Sequence, residues 1–241
     1  MQSIASNLKL IPQAEKLPIT EIYDDMNLIS EKEKQKKHGN LLPSSIRALF
    51  CGSSSCGKTN ALMNLIYNPN GLSFENIYVY SKSLYQPKYR QLEQIVRMVP
   101  EIGYFPFSDN EAVIPPEEAK ENSLFIFDDV ACEKQGCIRN YYAMGRHRRI
   151  DSFYLIQTYS STPKQLVRDN LNLILVFKQD FRNLKHIYLD HVNTDMCFSD
   201  FSNMCKYCWN AQPYGSLLID KTSDIDKGRY RLGFDQFILP S

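Results

Sequence analysis

The chain has 241 residues, a formal net charge of +1 at pH 7, 43% hydrophobic and 23% charged residues, an ordinary globular composition with room for one substantial core. So near-neutral a balance excludes recognition of a polyanion by overall charge, so any such contact has to come from a local patch. No long uninterrupted apolar run and no basic-then-apolar N-terminus is present, which argues against a membrane partner and against secretion, and seven cysteines, an odd number, fit free thiols in an intracellular, reducing compartment.

Residues 1–42 carry little apolar periodicity and include the charge run Glu31-Lys32-Glu33-Lys34-Gln35-Lys36-Lys37-His38, which reads as an N-terminal arm or linker. Pro43-Ser44-Ser45 then leads into the apolar run Ile46 to Cys51, so a core is expected over 43–180, with 181–241 completing the same domain. The run ends in Gly52-Ser53-Ser54-Ser55-Cys56-Gly57-Lys58-Thr59, and the good helix formers from Asn60 to Ile66 come next. Strand, G-x-x-x-x-G-K-[ST] loop and helix in this order make a phosphate-binding P-loop. Its glycines let successive backbone N–H groups turn inward as an anion nest, and the helix adds its positive end. Lys58 is placed to reach the β- and γ-phosphates of a nucleotide, and the Thr59 hydroxyl to ligate Mg²⁺.

Asn68-Pro69-Asn70-Gly71 stops the helix, Asn76 to Tyr80 reads as the next strand, and Pro87 to Pro100 bounds a helix with Tyr89, Leu92, Ile95, Val96 and Val99 in helical period. Tyr104 to Phe107 reads as a short edge element, and the acidic stretch to Glu118 as a loop. Ser123 to Val130 is a buried strand that delivers two carboxylates at its C-terminal end, a Walker B-like element. Asp128 is the candidate Mg²⁺ ligand and Asp129 the candidate that orients an attacking water, with Glu133 a weaker substitute. A helix around Ile138 to Met144 runs into the basic cluster Gly145-Arg146-His147-Arg148-Arg149-Ile150. Another strand, Ser152 to Thr158, places Gln157 on the rim shared with the carboxylates, where it can face a γ-phosphate. Thr162-Pro163 is expected to open a short helix through Arg168, and Leu173 to Phe177 to be a further buried strand.

This set resembles the A32-like packaging ATPases of the FtsK/HerA group of P-loop NTPases, found in large DNA viruses and Polinton-like elements. The resemblance runs from about Ile46 to Phe177 and rests on the phosphate loop, Phe125 to Asp129, Gly145 to Ile150, Tyr154 to Thr158, and the segment Pro163 to Asn170. It implies an α/β fold of RecA/FtsK-like type: a mostly parallel sheet flanked by helices, with a C-terminal helical and hairpin extension. It also implies ATP and Mg²⁺ as cofactors, and catalytic roles for Lys58, Asp129, Gln157 and Arg146, the last as a finger given to a neighbouring subunit, with Arg149 and Arg168 behind it. The partners implied are double-stranded DNA, a homo-oligomeric ring of about five or six subunits and capsid proteins, in the cytoplasm or nucleus of a host cell. Lys134, Arg139, Lys178, Arg182 and Lys185 are the candidate DNA contacts. No fused nuclease is expected. Competing readings are a small-molecule kinase and a noncatalytic nucleotide-binding module of a mobile element.

In the tail, Leu184, Ile187, Tyr188 and His191 share one helical face and Phe198, Phe201, Met204 and Cys205 another. His191, Cys197, Cys205 and Cys208 are metal-ligand types at a spacing that matches no standard zinc module, and core thiols are the favoured reading. Ser216 to Asp220 and Arg229 to Leu232 read as a terminal hairpin.

Overall fold

The computed structural model describes residues 37–165 and 167–240, all within one compact unit. Its strands are β1 (Arg47–Cys51), β2 (Asn76–Ser81), β3 (Gly103–Phe107), β4 (Ser123–Asp128), β5 (Asp151–Ile156), β6 (Leu173–Val176), β7 (Leu217–Asp220), β8 (Tyr230–Leu232) and β9 (Gln236–Ile238). The helices are α1 (Lys58–Tyr67), α2 (Pro87–Arg97), α3 (Gly136–Met144), α4 (Phe181–His191) and α5 (Phe198–Ala211). Among the described residues the strands form one nine-stranded sheet in the order β3-β2-β4-β5-β1-β6-β7-β8-β9, parallel from β3 to β6 and antiparallel from there to β9.

Helices cover both faces, which is why the strands are apolar without interruption. Successive strand side chains point to opposite faces. Phe50, Val79, Ile126 and Leu155 pack with Leu62 and Leu65 of α1 and Tyr89, Leu92 and Val96 of α2, whereas Leu49, Tyr80, Phe127 and Tyr154 pack with Tyr141 of α3, Ile187 of α4 and Phe201 of α5. On the second face Phe125 stacks on Phe127 at 4.5 Å between ring centroids and on Tyr78 at 5.3 Å, with Tyr141 against it at 4.1 Å. These rings hold β2, β4 and α3 in one register.

The expected helix from Thr162 to Arg168 is not found among the described residues of that segment. Tyr159–Ser161 and Arg168–Asn170 are short 3₁₀ turns, and the described residues between them are turns and irregular chain. Side-chain bonding takes over there: Arg168 pairs with Asp190 of α4 at 2.8 Å and lies over the Tyr159 ring, while the Tyr159 hydroxyl is 2.9 Å from Asp190 and 2.8 Å from His191 Nε2. Burial pushes His191 down to about 3, so this imidazole is neutral. Cys205 and Cys208 sit in the core, and Cys197 is exposed at the start of α5 beside Asp200. The hairpin is present as β7 and β8, and Gln236–Ile238 adds a third antiparallel strand that no alternation in its sequence announces.

Most of the arm read over 1–42 lies outside the described residues. Its last residues are anchored: Leu42 is buried, and the buried carboxylate of Asp151 accepts from Lys37 Nζ at 2.6 Å and from Ile46 N at 2.7 Å. Ser73 N donates to His38 Nδ1, so Nε2 carries the proton and donates to Asp151 Oδ2 at 3.0 Å. Removing the carboxylate leaves the Lys37 ammonium buried without its counter-charge, the costly way to break such a pair. Asp151→Ala is expected to lower unfolding free energy by about 3 kcal/mol, read as a shifted denaturation midpoint at unchanged slope. A loss under about 1 kcal/mol would show that the cluster contributes no more than a surface pair.

Candidate functional site

The register of three parallel strands builds the site. Cys51 of β1 stands beside Ile156 of β5, and Leu155 of β5 beside Asp128 of β4. The C-terminal ends of β1, β5 and β4 therefore deliver the phosphate loop, Gln157 and Asp128-Asp129 to one rim. Two strand spacings, roughly 10 Å, separate the loop strand from the carboxylate strand, and Gln157 leaves the strand between them.

The loop leaves β1 through Gly52, whose N–H bonds to Ile156 O at 3.1 Å, and a Cβ there would stand 2.5 Å from Cys56 Sγ and 2.6 Å from Phe177 Cβ. It enters α1 through Gly57 at φ 111°, a conformation side chains rarely adopt. Lys58 is buried, and its Nζ donates to Gly52 O at 2.6 Å and Ser53 O at 2.9 Å, so the ammonium is folded over the mouth of the loop. Cys56 stays a thiol, because burial pushes its pKa up.

Asp128 is 8% exposed. Burial raises its pKa, and the Tyr89 hydroxyl opposes that rise by donating to Oδ2 at 2.5 Å. Burial first, and then the carboxylate itself, push the Tyr89 phenol well above its usual range, so it remains a donor. Asp129 adopts φ 57°, which aspartate tolerates better than most residues, and is exposed where the strand ends. Behind it, Gln135 donates to Val130 O and Glu133 O, both at 2.9 Å, and accepts from Tyr154 at 3.0 Å, fixing the loop after β4.

Lys58, Thr59, Asp128, Asp129 and Gln157 line one cavity of about 730 Å³, within the range of small-molecule and cofactor sites. The donor set fits a nucleotide with Mg²⁺: backbone N–H groups at a helix start for phosphate, and a hydroxyl and a desolvated carboxylate for a hard cation. Glu133 instead faces Lys82 at 3.5 Å and does not line the cavity. Arg146 is not brought to its own chain's loop. It lies in the 3₁₀ turn Gly145–Arg148 before β5, at the opposite rim, and lines a separate cavity with Arg47 and Arg231. Arg149 closes that turn, and Arg168 is committed to Asp190. Lys134, Arg139, Lys178, Arg182 and Lys185 are exposed on segments beyond the C-terminal ends of β4 and β6.

Two residues of the site have no recognisable signal in the sequence. Tyr89 reads there as one more apolar position of an amphipathic helix; only the crossover from β2 brings its hydroxyl to Asp128. Tyr214 also lines the cavity, and although Pro213 and Gly215 mark a turn, nothing in their spacing ties that turn to the phosphate loop.

The sequence matches no protein-family model and no curated protein. Among solved structures, the chain is similar to the genome packaging NTPase B204 from Sulfolobus turreted icosahedral virus 2. In complex with sulfate, that protein superposes with a TM-score of 0.51 at 13% identity over 75% of this chain and 93% of its own. In complex with ATP-gammaS, the score is 0.50 at 12% identity over 80% and 98%. At this identity the likeness is one of fold: the mostly parallel, helix-flanked sheet is shared.

Proposed function

We propose that this chain is an ATP-hydrolysing motor that moves double-stranded viral DNA into a capsid, working as a ring of identical subunits. The observation that carries the hydrolytic part is the single cavity in which Lys58, Thr59, Asp128, Asp129 and Gln157 meet. The motor part rests on the motif order and on a fold shared with a genome packaging NTPase.

Each residue has a role set by where it stands. The loop N–H groups and the start of α1 hold the phosphate chain, and Lys58 exchanges its loop carbonyls for β- and γ-phosphate oxygens. Thr59 and Asp128 would hold Mg²⁺, which would supply charge neutralisation at those oxygens. Tyr89 donates to Oδ2 of Asp128 and so helps to fix the orientation of the carboxylate that would hold the cation. Asp129, exposed at the strand end, orients the attacking water and accepts its proton, and Gln157 faces the γ-phosphate from the strand between. Arg146 lies away from its own site, so its role belongs to a neighbour's: it stabilises the leaving oxygens in trans.

DNA is held by the exposed lysines and arginines after β4 and β6, through phosphates and without base readout. The test is steady-state ATP turnover with and without linear duplex DNA, over a salt series, alongside the mass in solution. An oligomer whose turnover rises with duplex and loses that stimulation as salt increases is expected. A monomer indifferent to DNA contradicts the motor reading. For Arg146, mixing Lys58→Ala protein with Arg146→Ala protein is expected to restore turnover that each lacks alone, because a mixed ring regenerates sites with both groups intact. Mixtures as inactive as their components would remove Arg146 from that role.

A further inference from the structure

We propose that Tyr214 is the platform on which the nucleobase stacks, so the site grips the base end of a nucleoside triphosphate as well as its phosphates. This rests on the reading of the cavity as a nucleotide site. Tyr214 lies in the connection between α5 and β7, and the Trp209 indole N–H of α5 donates to Val176 O at the end of β6 at 3.0 Å, which ties this connection to the rim that carries the phosphate loop. The side chain leans on the entry to α1: Cβ, Cδ1 and Cγ are 3.1, 3.1 and 3.2 Å from where a Cβ on Gly57 would stand. From there the residue lines the cavity beside Ser54, Ser55 and Asn60, yet it is 65% exposed. One edge of its ring rests against Gly57, while most of the residue remains in solvent.

The backbone argues the same way. Gly215 N donates to Gln212 O at 3.0 Å, closing a four-residue turn with Pro213 second and Tyr214 third, and Tyr214 has φ 58°. Proline at the second position with positive φ at the third is the type II arrangement, whose third position favours glycine or asparagine. A bulky aromatic there is an outlier that the fold has to hold in place, and such strain concentrates at ligand sites. Contact with Gly57 alone gives little packing reason for it, since most of the residue is in solvent. An aromatic face beside a phosphate cradle accepts a planar base, any base having a π-face to offer.

The experiment uses the full chain and compares ATP with inorganic tripolyphosphate, which has the phosphates and no base, by calorimetric titration at fixed Mg²⁺, with thermal unfolding alongside. Tyr214→Gly is expected to weaken ATP about ten- to hundredfold and to leave tripolyphosphate unchanged. Its melting temperature should not fall, because glycine suits the positive φ. Tyr214→Phe should keep ATP affinity. Unchanged ATP affinity in Tyr214→Gly, or a parallel loss for ATP and tripolyphosphate with a lower melting temperature, would overturn the platform and leave the phosphate site standing. Wild-type protein that binds neither compound would instead overturn the nucleotide site, and the platform with it.

Discussion

The parallel register of β1, β5 and β4 is the constraint on which the rest depends. Parallel strands end together, so three segments far apart in sequence deliver a phosphate loop, an amide and two carboxylates to one rim. A slip of one residue would turn every side chain of the strand to the other face of the sheet. Two-sided burial prevents it: Phe125, Phe127 and Tyr141 form an aromatic stack on one face while Ile126 and Leu155 fill the other. The core is therefore also the jig that sets the site's dimensions.

The opposite rim carries the anchoring. Asp151, at the start of β5, gathers Lys37, His38 and the Ile46 amide, which fastens the entry of β1 to β5 at the end remote from the phosphate loop. Arg47 of β1 donates from Nε to Asn170 O at 2.6 Å, and burial first, then Arg146, lower its pKa against the opposing pull of Asp151. At the rim that carries the phosphate loop, Asp128 is desolvated, and its hydrogen bond from Tyr89 only partly offsets that cost, a state that a bound cation would relieve.

Much of this is legible in the residues because each signal is local. The P-loop states its own spacing, and uninterrupted apolar strands announce a sheet covered on both sides. Asp128, Asp129 and Gln157 are readable because strand ends in such a sheet share a rim, so position along the chain stands in for position in space. Tyr89 and Tyr214 are not readable, since each reaches the site across a crossover or a turn whose geometry leaves no periodic trace. The Thr162 to Arg168 segment misleads for a related reason: a capping threonine and a proline suit a helix start, but the Arg168 pair with Asp190 and the Tyr159 ring fold the segment onto α4 instead.

The most direct test of the hydrolytic site is single-turnover hydrolysis of bound ATP over a Mg²⁺ titration, comparing wild type with Asp128→Asn and Asp129→Asn. If Asp128 holds the cation, its variant needs more Mg²⁺ to reach its plateau. If Asp129 positions and deprotonates the water, its variant keeps the wild-type Mg²⁺ dependence and ATP affinity, while its plateau rate falls by about a hundredfold or more. An Asp129→Asn protein that hydrolyses ATP at the wild-type rate under saturating Mg²⁺ would contradict the account.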